Sequence, residues 1–171
     1  MKEEIINRVA KSPLQIFDLE DYYPQGKYIG IDISVWLWEG MILREKEFRD
    51  SLKEHNWEQY QDAYIYLYCS TDAIIPGWAY SLVTMHLVGI ARKVAVGSQD
   101  DLNTILYSEI LEKIDYSVYE DKPVLIKGCA NKPVPENALL MACQKLQPIA
   151  KSIMFGEACS TVPLYKKGSQ K

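Results

Sequence analysis

The sequence predicts an α/β fold: a three-layer sandwich with a mainly parallel, mixed sheet of about five strands covered by helices. Two observations lead there. Short apolar runs rich in Val, Ile and Tyr alternate along the chain with segments of helical length, the pattern of βαβ crossovers. In addition, Tyr64-Ile65-Tyr66-Leu67-Tyr68 runs through the polar turn Cys69-Ser70-Thr71-Asp72 into Ala73–Ala91, which carries no Asp, Glu, Lys or Arg. That order reads as strand, polar loop and buried helix, and ligands of open α/β sheets sit beyond the carboxyl ends of strands.

Each element has its own justification. Residues Glu3 to Lys11 place Ile5, Ile6 and Val9 on one helical face, and Ser12-Pro13 ends that helix. Leu14 to Leu19 reads as an edge strand, the turn-rich stretch 20–26 as a loop, and Tyr28 to Ile33 as a strand. Glu45 to Glu54 sets Phe48 and Leu52 four apart, with Glu45, Arg49 and Lys53 facing away, as an exposed amphipathic helix does. Arg92 to Val96 is a further strand closed by Gly97-Ser98, and Leu102, Ile105, Leu106, Ile110 and Ile114 repeat at helical spacing behind Ser98 or Asp100 as cap. Pro123 to Lys127 is a strand. A stripe from Leu139 through Cys143 and Leu146 to Ile153 and Met154 then reads as one long helix with Pro135 in its first turn. A last strand spans Val162 to Tyr165. The chain reads as a single domain over 1–171, with 166–171 a frayed basic tail and with no internal repeat.

Composition excludes several classes. The chain has 171 residues, 48% hydrophobic and 25% charged, which is ordinary for a globular protein. A net charge of −4 and a pI near 5.3 argue against nucleic-acid binding, which needs clustered Lys and Arg. The start of the chain holds acids and builds no apolar signal core, so a cytoplasmic protein with four reduced cysteines is expected. The uncharged stretch 74–91 reaches the length of a membrane span. It also holds Pro76, Gly77, Ser81, Thr84, His86 and Gly89, so a buried helix is expected and no membrane association.

Chemistry is expected at the strand ends. Cys69 and Cys129 each follow a strand, and Cys159 lies in a polar loop beside one; Cys143 sits in an apolar stripe and reads as core. In a parallel sheet Cys69 and Cys129 meet if their strands are neighbours. Three thiolates, with Asp72 or Glu157 as an oxygen donor, make a candidate zinc or iron–sulfur site. The separations of tens of residues and the absence of Cys-x-x-Cys leave open that each cysteine is a small buried hydrophobe. An anion site is a further reading: Ser70 and Thr71 ahead of the helix, with Asn131 and Lys132 (or Lys127) from the adjacent loop, suit a phosphate or carboxylate. Ser70, Thr71 and Asp72 are also ordinary capping residues, and capping alone explains them better than a ligand does. No Gly-rich nucleotide fingerprint is present.

Three groups of residues carry a resemblance: Tyr68-Cys69-Ser70 with Asp72-Ala73-Ile74-Ile75-Pro76; Lys127-Gly128-Cys129 with Asn131-Lys132-Pro133; and Phe155 to Pro163. With Asp18-Leu19-Glu20-Asp21 and Leu43-Arg44-Glu45-Lys46, they make the chain resemble a bacterial family known as domain of unknown function 2480. The resemblance implies a small cytoplasmic protein, loosely linked with iron–sulfur assembly. Cys69, Cys129 and Cys159 fall inside its motif segments and Cys143 does not.

Three functions follow as expectations. The first is a thiolate metal-binding accessory protein, holding zinc or an iron–sulfur cluster through Cys69, Cys129, Cys159 and Asp72. The second is a non-catalytic protein-binding module or homodimer with structural cysteines. The third is a thiol enzyme or sulfur acceptor, disfavoured because the two histidines, His55 and His86, are poorly positioned as bases.

Overall fold

The computed structural model describes residues 13–128, 130–157 and 160–168. The helix expected over Glu3–Lys11 lies outside them. In chain order the elements are β1 (Gln15–Asp18), β2 (Tyr28–Asp32), α1 (Glu45–Glu54), β3 (Tyr64–Tyr68), α2 (Gly77–Leu87), β4 (Lys93–Val96), α3 (Gln99–Leu111), β5 (Pro123–Lys127), α4 (Glu136–Leu146), β6 (Ser152–Glu157) and β7 (Ser160–Lys166). Single 3₁₀ turns follow β1 and β2 and precede β3 and β5.

The α/β class and the mixed strand pairing stand, but the strands form two sheets rather than one of about five. One has the order β1-β5-β6-β7, parallel except for β7, and the other is the parallel β2-β3-β4. The chain divides accordingly into two compact units: a continuous one, Pro24–Ile105, and a split one drawn from the stretches up to Tyr23 and from Leu106 onward.

The two units are built on one plan, which corrects the expectation of no internal repeat. Each runs strand, 3₁₀ turn, helix, 3₁₀ turn, strand, helix, strand. From the first helix onward, equivalent residues lie 59 positions apart, as Asp62 and Asp121 do. Asp62 and Asp121 both take positive φ (57° and 49°), and their N–H groups donate to Ile90 O and Ile149 O, both at 2.9 Å. Arg92 N to Ala63 O is matched by Lys151 N to Lys122 O, again both at 2.9 Å. Side chains repeat as well: Trp57 Nε1 donates to Leu52 O, and Tyr116 OH to Leu111 O, each at 2.9 Å. The first strands match through Asp32 and Asp18, whose Oδ1 atoms accept from Ser34 N (2.9 Å) and Glu20 N (3.0 Å).

Each unit buries its own core, filled at equivalent positions. Ile31, Ile33, Phe48, Leu52, Tyr60, Ile65, Leu67, Ala79, Val83 and Leu87 pack in the continuous unit. Phe17, Leu19, Tyr107, Leu111, Tyr119, Val124, Ile126, Ala138, Ala142 and Leu146 take those places in the split unit.

Three boundaries differ from the sequence reading, each for a local reason. The segment 73–91 is helical only from Gly77 to Leu87, because Pro76 is the N-cap and Gly89, at φ 81°, follows the end. The expected long helix through Met154 stops at Leu146, where Pro148 supplies no N–H; Ser152–Glu157 is instead a strand beside β5. The basic tail is tied down at its start: Lys166 ends β7, and Lys167 donates from its N to Lys151 O (2.9 Å) and from Nζ to Asp121 (2.6 Å). Among the described residues no helix is long and apolar enough to cross a membrane.

Candidate functional site

Parallel pairing aligns the carboxyl ends of strands, and in each unit the first-strand Asp marks that edge. In the continuous unit, Asp32 Oδ1 accepts from Ser34 N (2.9 Å) and Ser70 N (3.1 Å). Slight burial raises its pKa, and the bonds from Ser70 and Ser34 outweigh this, leaving the carboxyl below its ordinary pKa. Ser34 Oγ lies 3.1 Å from Ser70 Oγ. Thr71 Oγ1 donates to Gly40 O (2.7 Å), so at 3.3 Å from Cys69 Sγ it is free to accept the thiol proton. Cys69 is half-buried against the core, while Asp72 is exposed.

The split unit carries more charge at its edge. Lys127 Nζ, at the end of β5, lies 3.1 Å from Glu157 Oε2 at the end of β6 and 3.7 Å from Asp18 Oδ2 at the end of β1. The hydrogen bond and charge of Glu157 hold the Lys127 ammonium above its ordinary pKa. Glu20 reaches to the loop after β5, where Oε1 accepts from Ala130 N (2.6 Å) and Asn131 N (2.7 Å), and Oε2 from Asn131 Nδ2 (3.3 Å). Lys132 Nζ donates to Glu20 O at 2.8 Å. The backbone bond from Asn131 is the chief cause that holds the Glu20 carboxyl below the ordinary glutamate value. Beside this cradle lies a cleft of about 530 Å³ lined by Leu19, Gly128, Val134, Leu139, Leu140 and Phe155, with Pro135 and Glu136 at the start of α4. Gly128 is required there, since a Cβ would stand 2.9 Å from Leu19 Cβ.

The predicted site residues therefore distribute as follows. Ser70 and Thr71 do not cap α2, from which five residues separate Thr71; they bind Asp32, Ser34 and Gly40 within the continuous unit. For the same reason Cys69 does not stand at a helix N-terminus. Asn131 donates from its N and Nδ2 to the carboxylate of the chain's own Glu20, whereas Lys132 donates to the Glu20 backbone carbonyl. Cys129 and Cys159 lie outside the described residues. The condition for Cys69 and Cys129 to meet, neighbouring strands, is not fulfilled, because β3 pairs with β2 and β4, whereas β5 pairs with β1 and β6. Cys143 packs half-buried on the core as expected, and burial pushes its thiol pKa up.

Among the described residues no three His, Cys, Asp or Glu side chains are grouped to hold a metal. The histidines serve an aromatic cluster. His55 Nε2 lies 2.9 Å from Tyr60 OH, and the ring of His86 stacks on Trp57 at 4.9 Å. Sequence reasoning missed Asp18 and Glu20 as edge residues. The signal was available in the paired Phe-Asp-Leu-Glu and Ile-Asp-Ile-Ser segments, whose Asp residues cap equivalent turns.

A duplicated α/β protein with charged strand ends is thus the class that fold and edge define. A family model described as a protein of unknown function (DUF2480) matches residues 3–167, and the chain belongs to that family. Comparison with curated proteins and with solved structures gives no match.

Proposed function

We propose that the protein is a non-catalytic accessory protein that holds zinc or an iron–sulfur centre through thiolates, with Cys129 and Cys159 as the central pair. One observation supports this reading. β5 and β6 are neighbouring parallel strands of the split unit, with Ile126 opposite Phe155, and Cys129 and Cys159 follow their ends in the sequence, one residue out of register. Adjacent strands run about 4.8 Å apart, close to the roughly 4 Å between thiolates that share one zinc. At this edge the carboxylates of Asp18 and Glu157 pair with Lys127. An iron-loaded form fits an accessory role in iron–sulfur assembly.

Elemental analysis of protein purified without oxygen tests the proposal. Zinc or iron near stoichiometry, lost in Cys129→Ser and in Cys159→Ser and retained in Cys143→Ser, is the expected result. Cys69→Ser and Asp72→Ala decide whether those residues also donate. Metal at trace level in the wild type would remove the reading.

A second reading, a protein-binding module or homodimer, is favoured by apolar side chains left in solvent on the continuous unit. Ile74 is 92% and Val35 70% exposed, and Met41 and Ile42 are each 50% exposed. Exposed apolar side chains mark an interaction surface where they adjoin one another. Sedimentation of the wild type against Ile74→Asp checks it: a dimer lost in the variant supports association through this patch, and an unchanged monomer counts against it.

A further inference from the structure

The edge of the split unit holds a carboxylate in a manner that asks what else it takes. Glu20 is held by two backbone N–H groups and one amide, at 2.6, 2.7 and 3.3 Å, and all three bonds lie at the surface. Its position in the continuous unit is filled by Ser34, whose hydroxyl meets Ser70 instead, so the plan of the unit does not demand an acid there. The cradle opens beside the apolar cleft: Leu19 lines the cleft and Glu20 is its chain neighbour, while Gly128 lines it and Ala130 lies two residues on. The volume of about 530 Å³ lies within the range of small-molecule sites, apolar clefts with a few convergent polar groups.

We propose that this edge binds a small monocarboxylic acid with an apolar chain. The ligand carboxylate takes the place of the Glu20 side chain on Ala130 N, Asn131 N and Asn131 Nδ2, and its chain fills the cleft against Leu19, Leu140 and Phe155. Binding is an exchange of one carboxylate for another, so Glu20 acts as a built-in competitor. Glu136, on the cleft wall, sets the preference for one negative charge over two. The inference does not use the cysteines and stands apart from the metal proposal.

Titration of the isotope-labelled full chain with octanoate, followed by amide shifts, tests it. Saturable shifts at Gly128, Ala130, Asn131 and Phe155 are expected, absent with octylamine and weaker with suberate. Glu20→Gln, which keeps the size and removes the competing charge, should tighten octanoate by roughly tenfold, the scale of a charge-assisted hydrogen bond. Leu140→Asp, at a position 57% exposed and tolerant of change, should abolish binding. Equal shifts with octanoate and octylamine, or no saturable shift in the wild type and in Glu20→Gln, would overturn the proposal. Tighter binding by a peptide ending in Leu with a free carboxyl, but not by its amide, would overturn the small acid in favour of a chain terminus.

Discussion

The continuous and split units spend the same backbone plan differently. Both begin on a strand whose final Asp caps a 3₁₀ turn, both place an Asp at positive φ before the middle strand, and both start the second helix behind a Pro cap. At the carboxyl edge they part. Lys127, Glu157 and Glu20 in the split unit stand where the continuous unit has Tyr68, Ser98 and Ser34. The split unit also adds β7 antiparallel to β6, and no described strand has that place beside β4. What the comparison teaches is that scaffold and edge are separable. Bonds shared by both units hold the fold, and groups found in one alone are the candidates for function.

The shared core is where the comparison can be broken most decisively. Leu87 and Leu146 are equivalent and fully buried, so Leu87→Ala and Leu146→Ala should each cost about 2–5 kcal/mol by denaturant unfolding. A cost in one and none in the other would deny the equivalence.

A sharper contrast lies at Phe48 and Tyr107, both 0% exposed. Only Tyr107 needs a partner, and its hydroxyl donates to Leu19 O at 2.8 Å. By denaturant unfolding Tyr107→Phe should lose about 1–2 kcal/mol, whereas Phe48→Tyr should be destabilising by overpacking a fully buried site.

Smaller effects are expected at the left-handed turns. Asp62→Ala should cost roughly 1 kcal/mol and Asp62→Gly nothing or less, with Asp121 following in the same direction.

The finest distinction is in pH dependence. The folded-state pKa of Glu20 is depressed, so its contribution is fully present above about pH 4.3 and is lost as pH falls through the folded value. Glu20→Gln should flatten that part of the acid limb of stability. Ser34→Ala, at the matching position, should soften the limb only slightly and through Asp32, whose lowered pKa depends in part on the Ser34 hydroxyl.

The sequence disclosed the local elements better than their assembly. The strands Tyr64–Tyr68 and Pro123–Lys127 were legible in full, since β-branched and aromatic runs ended at turn residues. The helix Glu45–Glu54 was legible from Phe48 and Leu52. β6 was hidden because Ile149, Ile153 and Met154 continue the spacing of α4, and the break at Pro148 was overlooked. The duplication was hidden because the identical positions are mostly generic: two alanines, two leucines, an isoleucine, a proline and a glycine, with Tyr60/Tyr119 and Asp62/Asp121 the more specific pairs. Splitting the strands between two sheets depends on pairing over long separations, which no local pattern encodes. At the site, Asn131 and Lys132 stood out in the sequence, but Glu20, more than a hundred residues earlier, could not be named as the residue they bind.

Two sheets of equal plan, rather than one of about five strands, are the claim on which the rest stands. Cross-strand α-proton and amide contacts in the labelled protein measure it directly. The account predicts contacts pairing β3 with β4, as between Ile65 and Val94, and β5 with β6, as between Val124 and Ile153. Contacts joining Tyr64–Tyr68 to Pro123–Lys127 as adjacent strands would contradict it.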